Sequence, residues 1–334
     1  MVLKLCWMDL KVPLMSLLII LLDCSSTATL KLNHPLREVI DRVNEKSGPY
    51  IGLVMAYSAE EHELQSSGIF IPNSISPWVD LSGRRFNIGS IREVNVIYVM
   101  SGQRRLNAGI TVQILLDVFD IRGIVHYGTA GSANDSLSFG DVSIPKYVAF
   151  TGSWNWKKFN SEKSQLEELN FGEYDLPQKG QNLLRGLEFK TEEFYSVGEP
   201  MKQVFWLEID PLWFSVAAQL RDFKLQQCVN VTYCLPETPK VVYGLKGSTA
   251  DIFVDNAAYR KFLYKKFHVS TVDEESAAVV MTAMSSNVPC IVIRGVSDLA
   301  GGEEGKSSTS LSSLAAKNAL NVAVEYIKLV GPHF

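Results

Sequence analysis

Cys290-Ile-Val-Ile-Arg-Gly-Val-Ser-Asp-Leu-Ala-Gly-Gly302 begins as an apolar, β-branched run and ends in a Ser-Asp pair followed by glycines. The stretch from Cys290 to Arg294 lacks the alternation of a strand with one wet face, and so predicts a strand buried on both faces, as in a parallel sheet. Ser297 and Asp298 then fall just past its carboxyl end, where open α/β sheets place their ligand crevices. A carboxylate there is costly to desolvate unless something cationic or proton-bearing meets it. An aspartate in that position also suits a helix N-cap or a turn.

Working outward, Tyr50–Ala56 and Gly123–Gly128 are further apolar strands, and Arg85–Ile91 with Val94–Met100 alternate like a strand pair around a turn. Asp141–Phe150 reads as a strand with Pro145 inside it, which predicts a sheet edge or a bend; Lys240–Leu245 is another strand. Helical periods cover Pro35–Asn44, Ser58–Leu64, Ala108–Phe119, Pro211–Phe223, Asn256–Phe267, Asp273–Met284 with an aspartate cap, and Leu311–Val330. The polar, Trp/Lys-rich segment 151–200 predicts an insertion or lid rather than core. Strands interleaved with helices, with no linker between them, predict a single-domain α/β chain, residues 29–334, around one mixed sheet.

The 334 residues carry a formal charge of −4 and 46% hydrophobic residues, so there is ample core and no basic footprint for nucleic acid. At the amino terminus, Lys4 and Lys11 precede the apolar run Val12–Leu22 and the small residues up to Ala28. This predicts a cleaved secretory signal over 1–28, too short to span a bilayer, and an extracellular or vacuolar destination without stable membrane insertion. Asn134-Asp-Ser136 and Asn230-Val-Thr232 are glycosylation sequons. Cys228 and Cys234 are either a small disulfide loop, favoured by an oxidising compartment, or two free thiols; Cys290 is expected as a buried thiol. The scattered histidines offer no metal-ligand spacing.

Three acids stand at strand ends or helix starts: Glu60, Glu275 and Asp298. For Glu60 and Glu275 the helix dipole alone is a sufficient reason. Ser101-Gly102 and Gly128-Thr-Ala-Gly131 would supply backbone N–H groups to an anion or a hydroxyl-rich ligand. Taken together, Gly52–Glu60, Gly128–Gly131 with Gly140-Asp141, Val272–Ala277 and Val292–Asp298 resemble the nucleoside phosphorylase/nucleosidase family from Tyr50 to Val330. The likeness extends to its methylthioadenosine/S-adenosylhomocysteine nucleosidases and its plant vegetative or bark storage branch.

The resemblance implies a three-layer α/β/α sandwich around a mixed, partly barrel-like sheet, a homo-oligomer, and either cleavage of the N-ribosyl bond of a purine nucleoside by phosphate or water, with cytokinin ribosides among the candidate substrates, or nucleoside binding on that scaffold. It implies that Asp298, held by Ser297, donates to purine N7 with a pKa raised by burial. It also implies that Glu275 binds the ribose hydroxyls and that Glu60 activates water. Glu274, Thr129, Gly131, Ser248 and Ile252 would complete the substrate site. No cofactor is implied beyond phosphate as a co-substrate of a phosphorylase. The chain departs from the family in Ser101-Gly-Gln-Arg-Arg-Leu-Asn107, where nucleosidases carry a second glycine at the position of Arg104, and in Glu274, where they carry methionine. At the strand before Gly128, phosphorolytic relatives can use an arginine where this chain has His126. Arg104 or Arg105 with His126 and Thr129 could form a phosphate site. Alternatively, Arg104 and Glu274 mark a weakened or inactive storage or wound-induced glycoprotein.

Overall fold

The computed structural model describes residues 30, 31, 33–157, 162, 165–170, 186–302 and 310–331. The expected signal segment 1–28 lies outside the described residues. Helix α1 (Arg37–Ser47) precedes β1 (Tyr50–Met55), every residue of which is buried, and α2 (Ser58–Ser67) follows. Next come β2 (Phe70–Pro72), β3 (Trp78–Leu81), β4 (Arg84–Ile91) and β5 (Val94–Met100). The alternating strands β4 and β5 pair antiparallel as their pattern predicts, and β5 lies parallel to β1. Helix α3 (Arg105–Val118) returns the chain to β6 (Ile121–Ser132), on the other side of β1.

Strand β7 (Val142–Phe150) is followed by the short strands β8 (Trp154–Trp156), β9 (Glu168–Leu169) and β10 (Leu187–Phe189), then by the hairpin β11 (Glu192–Ser196) and β12 (Glu199–Val204). Strand β13 (Leu207–Glu208), α4 (Pro211–Ala217), β14 (Val241–Thr249), α5 (Ala257–Phe267), β15 (Thr271–Asp273), α6 (Ser276–Ser285), β16 (Cys290–Leu299) and α7 (Ser312–Val330) complete the order. Strands β6, β16, β7, β14 and β15 each pair with the next, and β15 pairs back to β6. This closes a barrel of five strands within the larger mixed sheet. Helix α7 packs on β16, β6 and α2, while α3 packs on α6, so that helices flank the sheet in an α/β/α arrangement. Among the described residues, no helix is long and apolar enough to cross a membrane.

Four expectations change. Ser297 and Asp298 do not follow the decisive strand; they belong to it. Val296 pairs with Ala130 and Asp298 with Gly131, so Ser297 is the extra residue of a bulge that breaks the alternation and re-aims the two side chains. Pro145 is not on an edge, because β7 has β13, β14 and β16 as neighbours. The bend is what is found: the pairing of β7 with β14 slips twice here, once at Gly244 (φ +91°) between the partners of Ile144 and Pro145, and once at Lys146 of β7, directly after Pro145. Segment 151–200 is not simply polar: Leu169, Leu187 and Phe189 are buried with Phe262 and Phe267 in a second apolar cluster. Finally, Asp273 ends β15 rather than opening the helix, yet its Oδ1 accepts the N–H groups of Glu275 and Ser276 and so still caps α6. Cys228 and Cys234 form a disulfide, and Cys290 is a buried thiol.

Candidate active site

A cleft of about 470 Å³ opens where β1, β6 and β16 end, beside β15 and the start of α6. Glu60, Thr129, Gly131, Glu274, Glu275, Ser297, Asp298 and Ile252 all line it, so residues scattered over the chain converge. Ser248 does not line it; it is buried, and its hydroxyl lies 2.6 Å from that of Thr151.

Glu60 is held in the first turn of α2, 2% exposed. Its Oε2 accepts the N–H groups of Ala56 and Tyr57, both at 3.0 Å. Its Oε1 accepts the N–H of Thr129 at 2.7 Å and the Thr129 hydroxyl at 3.1 Å. A carboxylate offers about four lone-pair positions, and the protein occupies all of them. The sequence explains the close approach: a Cβ on Gly128 would lie 2.5 Å from Glu60 Oε1 and from Arg294 Nη1.

Glu275 stands just before α6 and is 6% exposed. Oε1 accepts the Arg104 N–H at 2.9 Å, and Oε2 lies 3.4 Å from Arg294 Nη2. Two lone-pair positions remain, matching the two donors of a vicinal diol. Burial pushes its pKa up to about 7, against the opposing pull of Arg294. Arg294 is the residue that motif reasoning passed over, although it sits in the decisive stretch. Fully buried, it donates Nε to Ser276 Oγ at 2.9 Å and lies 3.3 Å from Asp273 Oδ2. Burial disfavours the Asp273 carboxylate, but Arg294 and the hydroxyls of Ser276 and Thr249 outweigh it and hold the group below its ordinary value. Arg294 is therefore matched mainly by Asp273, which leaves Glu275 the poorly compensated acid. A buried cation in an otherwise apolar run was the available signal, since such a charge needs partners.

Asp298 is half-buried, and its Oδ1 accepts the Ser297 hydroxyl at 2.6 Å. Gly131 lies so close that a Cβ there would meet Asp298 Oδ2, Ala300 and Val272 at 3.2 Å each. Gln103, also missed from sequence, lines the cleft as well.

The proposed phosphate ligands are not brought together. His126 is buried behind the cleft with Arg294, and burial and the Arg294 charge lower its pKa to about 3, so it supplies no positive charge. The Arg105 guanidinium is held by Asp251 at 2.8 Å. The Arg104 side chain is 67% exposed and lies 3.7 Å from Glu274. Its backbone, at φ 78° and ψ 156°, occupies a region that only glycine adopts freely. Of the sequons, Asn230 is exposed, whereas Asn134 is half-buried with its amide donating to Ser270 at 3.4 Å. Among the described residues lining the cleft, Glu60, Asp255, Asp273, Glu274, Glu275 and Asp298 are acidic and none is basic.

The family model described as "Phosphorylase superfamily" matches residues 50–328. The chain belongs to this superfamily. It is 42% identical to bark storage protein A of Populus deltoides over 282 residues, 84% of this chain and 88% of that protein. It is 25% identical to a 5'-methylthioadenosine/S-adenosylhomocysteine nucleosidase of Listeria monocytogenes, over 84% of this chain and 99% of the other. A Streptococcus pneumoniae nucleosidase solved with 8-aminoadenine superposes with a TM-score of 0.57 at 18% identity, over 84% of this chain and 100% of that one. That superposition supports the barrel-centred fold. A superfamily fold alone does not fix the chemistry of this member.

Proposed function

We propose that this phosphorylase-superfamily protein binds a purine nucleoside in the cleft and cleaves its N-ribosyl bond with water rather than phosphate. The observation that carries the reading is the wall formed by Glu275 and Asp298, with acceptor positions free on Glu275, in a cleft whose described lining has acids and no cation. An incoming phosphate would meet like charge there, whereas a neutral water and a developing ribosyl cation would not. In this reading Glu275 accepts the ribose 2'- and 3'-hydroxyls. Asp298, positioned by Ser297, gives its proton to the purine as the C1'–N9 bond breaks. Water attacks C1' from the other side, and Glu60 takes its proton. For that, the Thr129 hydroxyl, the one rotating donor among the four on Glu60, turns away and frees a lone pair.

A second reading has its own support: a nucleoside-binding storage or wound-induced glycoprotein with slow or no turnover. It is favoured by the saturated Glu60, by the strained Arg104 beside Glu274, and by the likeness to bark storage protein A. Either way, we read the protein as a secretory-pathway homo-oligomer, extracellular or vacuolar, glycosylated at the exposed Asn230.

The deciding assay offers adenosine, inosine, methylthioadenosine and a cytokinin riboside to the wild type and to Asp298→Asn. Release of free base that Asp298→Asn abolishes supports the hydrolase. Binding without release in the wild type supports the storage reading, and absence of both overturns the nucleoside assignment.

A further inference from the structure

We propose that His126 is a positioning residue: a neutral imidazole that draws Arg294 back from Glu275 and so keeps that carboxylate open to ligand. The inference rests on Glu275 being the ribose-binding acid of the reading above.

His126 Nδ1 lies 3.0 Å from the Val54 carbonyl oxygen, which can only accept, so Nδ1 carries the proton. Nε2 then presents a lone pair, and Arg294 Nη2 donates to it at 2.6 Å. The same Nη2 is 3.4 Å from Glu275 Oε2, well outside the 2.7–2.9 Å of a full Arg–carboxylate bond. The rest of the guanidinium is fixed by Ser276 Oγ at 2.9 Å, Asp273 at 3.3 Å and the Thr129 carbonyl at 3.3 Å. Closing the gap to Glu275 would stretch the histidine bond.

An apolar side chain at position 126 would leave a buried cationic N–H without its acceptor, a costly state. The nearest other acceptor is Glu275 Oε2, and a closed Arg294–Glu275 pair would use a lone pair that the ribose needs. The groups facing Glu275 are Arg294 on β16, Asp273 on β15, Glu60 on α2 and the Arg104 N–H ahead of α3, with Glu274 adjacent in the chain and His126 on β6 behind Arg294.

Carboxyl titration of the full chain by 13C NMR tests this, with the Glu275 signal assigned as the one lost in Glu275→Gln. In His126→Leu the Glu275 midpoint is expected to fall by about one unit, as an opposite charge moves in. KM for a hydrolysed nucleoside, or Kd for adenosine, is expected to rise about tenfold, with a smaller change in kcat. His126→Gln, whose side-chain oxygen can accept from Nη2, is expected to restore both. An unchanged or rising midpoint overturns the inference while the functional reading stands; a wild type that binds no nucleoside overturns that reading and the ligand half of the inference. Should His126→Leu fail to fold, 15N spectra of the wild type decide. A neutral imidazole protonated on Nδ1 down to pH 5 is expected, and titration near 6.5 or an Nε2–H tautomer overturns the proposal.

Discussion

Glu60 and Glu275 are both buried carboxylates at the head of a helix in the same cleft, but the protein surrounds them differently. Glu60 accepts four hydrogen bonds from the protein, from Ala56, Tyr57 and twice from Thr129, and is held as a fixed acceptor. Glu275 accepts two, one of them long, and its raised pKa records the missing compensation. A residue tied on all sides contributes chiefly to the architecture around it, whereas one left with spare capacity is available to a ligand. In the proposed reading the Glu275–Asp298 wall is the binding side, and the Glu60 corner limits how fast water can be activated.

The largest effect is expected at Asp298, the proposed proton donor on the open wall. Asp298→Asn is expected to lower base release by about 10²–10⁴, the usual worth of a general acid, while adenosine affinity by calorimetry changes little. Removing the saturated acid should cost the water-activating base and damage the fold as well. Glu60→Ala leaves the buried N–H groups of Ala56, Tyr57 and Thr129 without acceptors, and a loss of about 3 kcal/mol in urea unfolding is expected.

Glu275 should show the opposite balance. Its folded pKa, about 7, lies above the ordinary 4.5, so the folded state holds the proton more tightly. The resulting stability is present below about pH 4.5 and declines as pH rises towards 7. Glu275→Gln is expected to remove that slope from the pH dependence of unfolding and to weaken nucleoside binding about tenfold, the worth of one charged hydrogen bond. A slope that persists in Glu275→Gln would contradict its assignment to Glu275. The smallest effect is expected at the rim. Arg104→Gly relieves a glycine-only backbone conformation and gives up only an exposed ion pair, so stability should rise by about 1 kcal/mol. Arg104→Ala keeps the strain and should show no such gain.

Much of this was legible in the chain. The apolar run Cys290–Arg294 and its like at Tyr50 and Gly123 mark strands buried on both faces, and the acids at their ends mark the cleft. Barrel closure was not readable from local pattern, because it depends on β15 and β16 each pairing with β6 across long sequence separations. The bulge at Ser297 was hidden for a similar reason: one extra residue is defined only against a partner strand. The surroundings of His126 were not legible because sequence places it near Gly128 without saying which way it points; in the fold it faces Val54 and Arg294. Arg294 looked like the end of a strand, yet it is the cation around which Asp273, Glu275 and His126 are arranged.

The central claim is that a purine nucleoside bound against Glu275 and Asp298 is cleaved by water. Incubation of the purified protein with adenosine, inosine and methylthioadenosine, with and without phosphate, tests it most directly when the sugar product is identified. Free ribose or methylthioribose, formed at a rate independent of phosphate, is expected. A sugar 1-phosphate that forms only when phosphate is present would contradict the account, as would no sugar product from any nucleoside.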